Sequence, residues 1–148
     1  ALNDVIIARA GFSRLVELKI YVNGELLSIY NADGSIVSTP TGSTGYSLSA
    51  GGPIIFPQTD VIVITPICPH SLQARSLVVS GEDRIMIEIG RRRKTQKEEA
   101  MVTFDGRSAQ ELETGDRIEI YKAQETTQLI RLKGRSFYQV LQNKIGTA

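Results

Sequence analysis

The sequence predicts an all-β domain, a two-layer β-sandwich of about ten short strands with one short helix. Three observations carry that reading. The first is composition: Val, Ile and Thr together number 38, against 22 for Ala plus Leu. β-Branched side chains are stiff at the first torsion and pack well on a pleated surface. The second is punctuation. Asn23-Gly24, Asp33-Gly34, Gly81, Asp105-Gly106, Gly115-Asp116 and Gly134 fall between short apolar runs, and Asn-Gly or Asp-Gly pairs tolerate the positive φ of tight hairpins. The third is period: Ile85, Ile87 and Ile89 point one way, and Met86, Glu88 and Gly90 the other, as on a half-buried strand.

Taken in order, Asn3-Asp4 precedes a short apolar run at 5–8, which Gly11 breaks. Residues 15–22 alternate apolar and polar in their second half, and Asn23-Gly24 turns the chain into a strand at 26–30. Asp33-Gly34 closes that strand and opens another at 35–39. Residues 39–57 differ from the rest, with four glycines, three prolines and a dense set of hydroxyls. Ser43 is placed to cap a short helix over 44–50, and Gly51 to stop it. A strand at 61–65 has no polar alternation and so must be covered on both faces; Pro66 and Pro69 end it. A meander follows, with strands expected at 77–80, 84–90, 101–104, 117–122, 128–132 and 137–142. No internal repeat or linker interrupts it, so 1–148 reads as one domain.

Composition limits the function classes. The chain has 148 residues, enough for a real core, and 17 basic against 16 acidic side chains, a net charge of +1. That balance argues against a protein built mainly to coat DNA or an anionic membrane. Hydrophobic residues at 41% and charged residues at 22% argue against wholesale disorder. A single cysteine, Cys68, forms no internal disulfide, and with a single histidine, His70, it completes no zinc site. A reducing compartment is expected. The longest apolar runs, such as 61–64, are too short to cross a bilayer, and no signal peptide is visible. A patterned segment is already under way just after Ala1, so the chain is expected to be excised from something longer.

The segment 39–57 is the best candidate for chemistry. Glycines let backbone approach a ligand, a helix start presents free N–H groups, and Thr41, Ser43, Thr44, Ser47 and Ser49 add hydroxyls. Tyr46 offers a ring face for stacking. The segment is neither a Walker A loop nor the Gly-x-Gly-x-x-Gly fingerprint; a plain strand-to-helix connection stands beside the site reading. Asp33 is suited to a ribose hydroxyl or a carboxamide, or is simply the first half of a turn. Asn3-Asp4 is equally a capping or turn pair. His70 and Ser71 lack a nucleophile elbow, so a structural histidine is the default. The basic run Arg91-Arg92-Arg93-Lys94 with Lys97 reads as a solvated hairpin tip without aromatic interleaving.

The run Asp33-Gly34-Ser35-Ile36-Val37-Ser38-Thr39-Pro40-Thr41-Gly42-Ser43-Thr44-Gly45-Tyr46-Ser47-Leu48-Ser49-Ala50-Gly51-Gly52-Pro53-Ile54-Ile55 closely resembles the signature of NAD kinases. Thr65-Pro66-Ile67-Cys68-Pro69-His70-Ser71-Leu72, Asp105-Gly106 and Asn3-Asp4 extend the resemblance over nearly the whole chain. It implies a two-domain cytoplasmic enzyme. The N-terminal α/β domain of that family carries a Gly-Gly-Asp-Gly-Thr motif whose aspartate is the general base, and the C-terminal all-β domain binds NAD. This chain resembles the C-terminal domain alone and lacks that motif, so no catalytic residue is expected within it.

By position, the resemblance implies that Asn3 and Asp4 contact the ribose or adenine of NAD. Asp33, with Asn31 beside it, belongs to the nicotinamide end. Thr44, Gly45, Tyr46, Ser47, Leu48 and Ser49 line the adenosine and nicotinamide pockets, with Thr41 nearby, and Cys68 and Arg107 occupy further contact positions. Gly45 stands where many members have Ala, which loosens the loop. Asn31 stands where a basic residue is frequent, which removes a charge contact. The implied reaction moves the γ-phosphoryl of ATP, or of polyphosphate, to the 2′-hydroxyl of NAD to give NADP, with a divalent metal, magnesium. The implied assembly is a homodimer or homotetramer with NAD sites where subunits meet, Asp33 and Tyr46 near the interface, and no nucleic acid or membrane partner. Two alternatives remain open: the β domain of a related lipid kinase, for which the loop is too polar, and a non-catalytic nucleotide-binding or assembly module.

Overall fold

The computed structural model describes residues 1–11, 15–91, 97–130, 132 and 134–146. Ten strands make up most of it: β1 (Asp4–Arg9), β2 (Val16–Val22), β3 (Glu25–Ala32), β4 (Gly34–Ser38), β5 (Val61–Ile67), β6 (Leu77–Ser80), β7 (Ile85–Ile89), β8 (Glu99–Phe104), β9 (Arg107–Glu113) and β10 (Arg117–Ile120). A 3-10 turn at Thr41–Thr44 leads into α1 (Tyr46–Ser49), and α2 (Phe137–Ile145) lies near the end of the chain. The strands form two sheets. The larger has the order β6-β5-β4-β1-β8-β9 and the smaller β10-β7-β2-β3. The mostly-β, two-sheet architecture is the one the sequence predicts.

One hydrophobic cluster joins the sheets. Val5, Ile7, Val37, Ile62, Ile64 and Val102 of the larger sheet meet Leu18, Ile20, Ile85, Ile87 and Ile89 of the smaller. Each such side chain stabilises by about 1.5–3 kcal/mol on burial, so this strip dominates the packing. The alternation of β7, buried at Ile85, Ile87 and Ile89, is the pattern expected of it. The hairpin turns also match. Asn23 and Gly24 have φ of 51° and 84°, and Asp105 and Gly106 of 50° and 71°.

β4 is buried at all five residues and β5 at six of seven. Their inner face meets the second sheet. Their outer face is covered by the chain's own segment 39–57: Ser47 Oγ lies 3.0 Å from Thr65 Oγ1 at the middle of β5, where Thr65 pairs with Ile36 of β4. Gly52 closes the packing, because a Cβ there would collide with both hydroxyls. The cover that the unalternated strand demands is therefore intramolecular, not supplied by a second copy.

Three local expectations change. Ser43 does not cap α1, whose N-cap is Gly45. Its hydroxyl instead donates to Pro40 O at 2.7 Å and accepts from Ile55 N at 3.0 Å, tying the two arms of the loop together. Residues 137–142 are helical, and 128–130 form no strand. Ser136 and Gln139 make a reciprocal capping box, which overrides the strand preference of Phe137, Tyr138 and Val140. β9 was not anticipated: it is an edge strand of largely polar residues and so shows no apolar alternation. Of the basic run, residues 92–96 lie outside the described residues.

Candidate functional site

β4 organises the candidate residues, because they attach to its two ends and to the loop laid over its middle. At its C-terminal end β4 pairs with the start of β1, Ser38 opposite Asp4. Asn3 and Asp4 are held there by main-chain bonds. Thr39 N donates to Asn3 O at 2.9 Å, and Thr39 Oγ1 donates to Leu2 O at 2.7 Å. Gly42 packs so closely that a Cβ would collide with the Asn3 carbonyl. From the other side the Asp105 carboxylate accepts the N–H groups of Leu2 at 2.7 Å, Asn3 at 2.7 Å and Asp4 at 3.2 Å. Asn3 is exposed, whereas Asp4 is buried. Burial pushes the Asp4 carboxyl up from the usual carboxylate range, and the neighbouring Asp105 charge adds to that. Burial works against the charged form of Asp105 too, but the three N–H donors outweigh it and hold that carboxyl below the usual range.

A cavity of about 330 Å³ opens at this end of the sandwich, lined by Asp4, Ser38 and Thr41 on one side and by Ile120 and Lys122 on the other. Arg107 starts β9 just beyond the Asp105-Gly106 turn and is exposed at the same end of the sheet.

The opposite end of β4 gathers a second group. Asp33 N donates to Ile67 O at 2.9 Å, and His70 N to Asn31 O at 2.9 Å, so Asn31, Asp33, Cys68 and His70 share this end. Arg9 Nε stands 2.9 Å from Asp33 Oδ1. Cys68 is exposed with φ of 45°, at the corner where β5 ends. From Asp33 to Thr39 is six strand steps, about 20 Å at ~3.3 Å per residue.

α1 lies between the two groups, over the middle of β4 and β5. Tyr46 is 46% exposed there, Gly45 and Ser49 are exposed, and Thr44 and Leu48 are half-buried. Ser47 faces inward instead, its hydroxyl spent on Thr65; it anchors the helix. The predicted residues thus fall in three groups: Asn3, Asp4 and Thr41 at the C-terminal end of β4, with Arg107 three strands across the sheet on β9; Thr44 to Ser49 over the middle of β4; and Asn31, Asp33 and Cys68 at its other end. Sequence reasoning missed Arg9, Thr39 and the clamping role of Asp105. Asp105 was visible as a turn dipeptide and as part of the family resemblance, without its reach back to Leu2, Asn3 and Asp4. Among the described residues no three His, Cys, Asp or Glu side chains come together as a metal site.

Residues 2–132 match the ATP-NAD kinase C-terminal domain. The chain belongs to that family. It is 55% identical over 146 residues to the NAD kinase of Lachnoclostridium phytofermentans, covering 99% of this chain and 51% of that protein. The chain therefore spans about half the length of the curated relatives it matches. Among solved structures, yeast NADH kinase complexed with NADH superposes with a TM-score of 0.74 at 40% identity, over 82% of this chain and 34% of that one. An NAD kinase from Archaeoglobus fulgidus in complex with ATP superposes with a TM-score of 0.74 at 30% identity, over 84% of this chain and 46% of that one. As an ATP-NAD kinase C-terminal domain, the chain presents its signature loop as a lid on the outer face of its larger sheet.

Proposed function

We propose that this chain is the dinucleotide-holding β domain of a two-domain NAD kinase, with residues 1–148 presenting NAD to a catalytic α/β domain. Membership of the ATP-NAD kinase C-terminal family carries the reading. The geometry supports it: groups of polar residues, with Asn3, Tyr46, Ser49 and Arg107 exposed, lie at the two ends of β4 and over its middle, a layout suited to a long, hydroxyl-rich ligand. Asn3, Asp4, Thr41 and Arg107 take the adenosine ribose end. Thr44, Gly45, Tyr46, Leu48 and Ser49 offer the Tyr46 ring and exposed polar groups to the middle of the ligand. Asn31, Asp33 and Cys68 take the nicotinamide end, and Ser47 holds the loop down.

In the reaction the 2′-hydroxyl oxygen forms a bond to the γ-phosphorus of ATP, the bond from that phosphorus to the bridging oxygen breaks, and ADP leaves. The hydroxyl proton goes to a base on the other domain. Polyphosphate would serve by the same displacement. This chain's own part is to bind and orient the acceptor, which lowers the barrier by fixing the reacting oxygen in place. No helix among the described residues is long and apolar enough to cross a membrane, and the proposed setting is the cytoplasm.

The assembly proposed is a homodimer or homotetramer with Asp33 and Tyr46 near the interface. β5 is covered within the chain and does not itself call for a second copy. Support for the assembly is the resemblance of the signature loop to a family whose NAD sites form where subunits meet.

The test is to assay the full-length parent with NAD and NADH, each with ATP or polyphosphate, and to look for the 2′-phosphorylated product. Its formation is expected from the parent and not from the 148-residue chain alone. A parent that forms no such product with any of the four pairs overturns the reading.

A further inference from the structure

We propose that Asp105 is the positioning residue for the Asn3–Asp4 pair, holding it in register for the acceptor dinucleotide; the proposal rests on the reading of that pair as acceptor contacts. Asp105 comes from a hairpin a hundred residues downstream, and a hairpin needs no carboxylate. The Asp105-Gly106 turn asks only for positive φ at both residues, which glycine meets as well as aspartate. Yet the Asp105 carboxylate is turned back onto the segment before β1. Oδ1 accepts from Asn3 N at 2.7 Å and Asp4 N at 3.2 Å, and Oδ2 accepts from Leu2 N at 2.7 Å. Asp105 N also donates to Asp4 O at 3.0 Å. Thr39 takes the remaining carbonyls, those of Leu2 and Asn3.

All six main-chain polar groups of Leu2, Asn3 and Asp4 are therefore engaged, four of them by Asp105. The result is a short segment whose backbone is fully tied and whose Asn3 side chain is left exposed. That is the arrangement expected of a polar group held ready for a ligand: the ordering cost is met on folding, before the ligand arrives. Charge-assisted bonds from a carboxylate to consecutive N–H groups are the strong kind. The depressed Asp105 carboxyl is consistent with this, since the clamp stays charged at neutral pH.

The test uses the full-length parent. Asp105→Gly removes the carboxylate while favouring the positive φ, so the turn survives. The melting temperature is expected to stay within about 4 °C, the shift of roughly one kcal/mol in a domain of this size. The KM for NAD is expected to rise roughly tenfold or more, the scale of a lost charge-assisted contact, with the KM for ATP unchanged. Asp105→Asn, which keeps the oxygen that serves Asn3 and Asp4, should fall between wild type and Asp105→Gly. Amide exchange at Leu2, Asn3 and Asp4 should accelerate in Asp105→Gly. A merely structural role would lower the active fraction, and so the apparent kcat, without a selective change in the KM for NAD. An Asp105→Gly enzyme with wild-type KM for NAD overturns the proposal if Asn3→Ala raises that KM. If Asn3→Ala is also without effect, the acceptor-site reading itself has failed, and the proposal falls with it.

Discussion

Asp33 and Gly52 show how differently two residues of one signature act. Asp33 is partly exposed, and its ion pair with Arg9 sits at the protein surface. Exposed pairs contribute about 0–1 kcal/mol, so Asp33→Ala should hardly move the melting temperature. In the parent enzyme the same change is expected to weaken NAD use roughly tenfold or more, the scale of one lost charge-assisted hydrogen bond. Unchanged steady-state kinetics would remove Asp33 from the site. Gly52 is the reverse. Its missing Cβ makes room for the Ser47 and Thr65 hydroxyls beneath the loop. Gly52→Ala should destabilise by about 1–3 kcal/mol, as overpacking does. Differential scanning calorimetry on the variant checks this, and an unchanged transition would show that the loop is not held tightly against the sheet.

Among the elements, α2 is the one whose sequence sent two signals. Phe137, Tyr138 and Val140 favour a strand, while Ser136 with Gln139 favours a helix start. The helix prevails because both halves of the capping box are made. The two aromatics also find a partner in Phe56 of the signature loop, with ring centroids 5.2 Å and 5.9 Å away. Ser136→Ala is expected to cost the helix about 1 kcal/mol. Hydrogen exchange should then speed up over 139–145 and stay constant in β7. Equal protection in the variant would mean that packing on Phe56, and not the cap, holds the helix. β9 could not be read from its sequence for a different reason: an edge strand owes its place to pairing with β8, and pairing leaves no mark on side-chain pattern.

For the whole molecule the open quantity is mass in solution. The chain is 16.2 kDa, and light scattering at micromolar concentration is expected to give a multiple of that. A single-chain mass rejects the proposed assembly. A second copy is proposed from the resemblance of the signature loop to a family whose NAD sites form where subunits meet. The both-sided burial of β5 is satisfied within the chain and requires no second copy.

The mostly-β sandwich, its turns and the signature loop were legible in the sequence, because β-branched composition, period-2 alternation and Asn-Gly or Asp-Gly pairs act through local sterics. Ile85, Ile87 and Ile89 or Asn23-Gly24 need no knowledge of the rest of the chain. The candidate residues were legible as a resemblance, without their arrangement. Three facts required the folded chain: that Ser43 and Ser47 turn inward, that the loop and not a partner covers β5, and that Asp105 reaches back to Leu2, Asn3 and Asp4. Each depends on contacts between segments far apart in sequence. A side chain's hydrogen-bond partner is chosen by what the sheets bring beside it, and no local pattern encodes that choice.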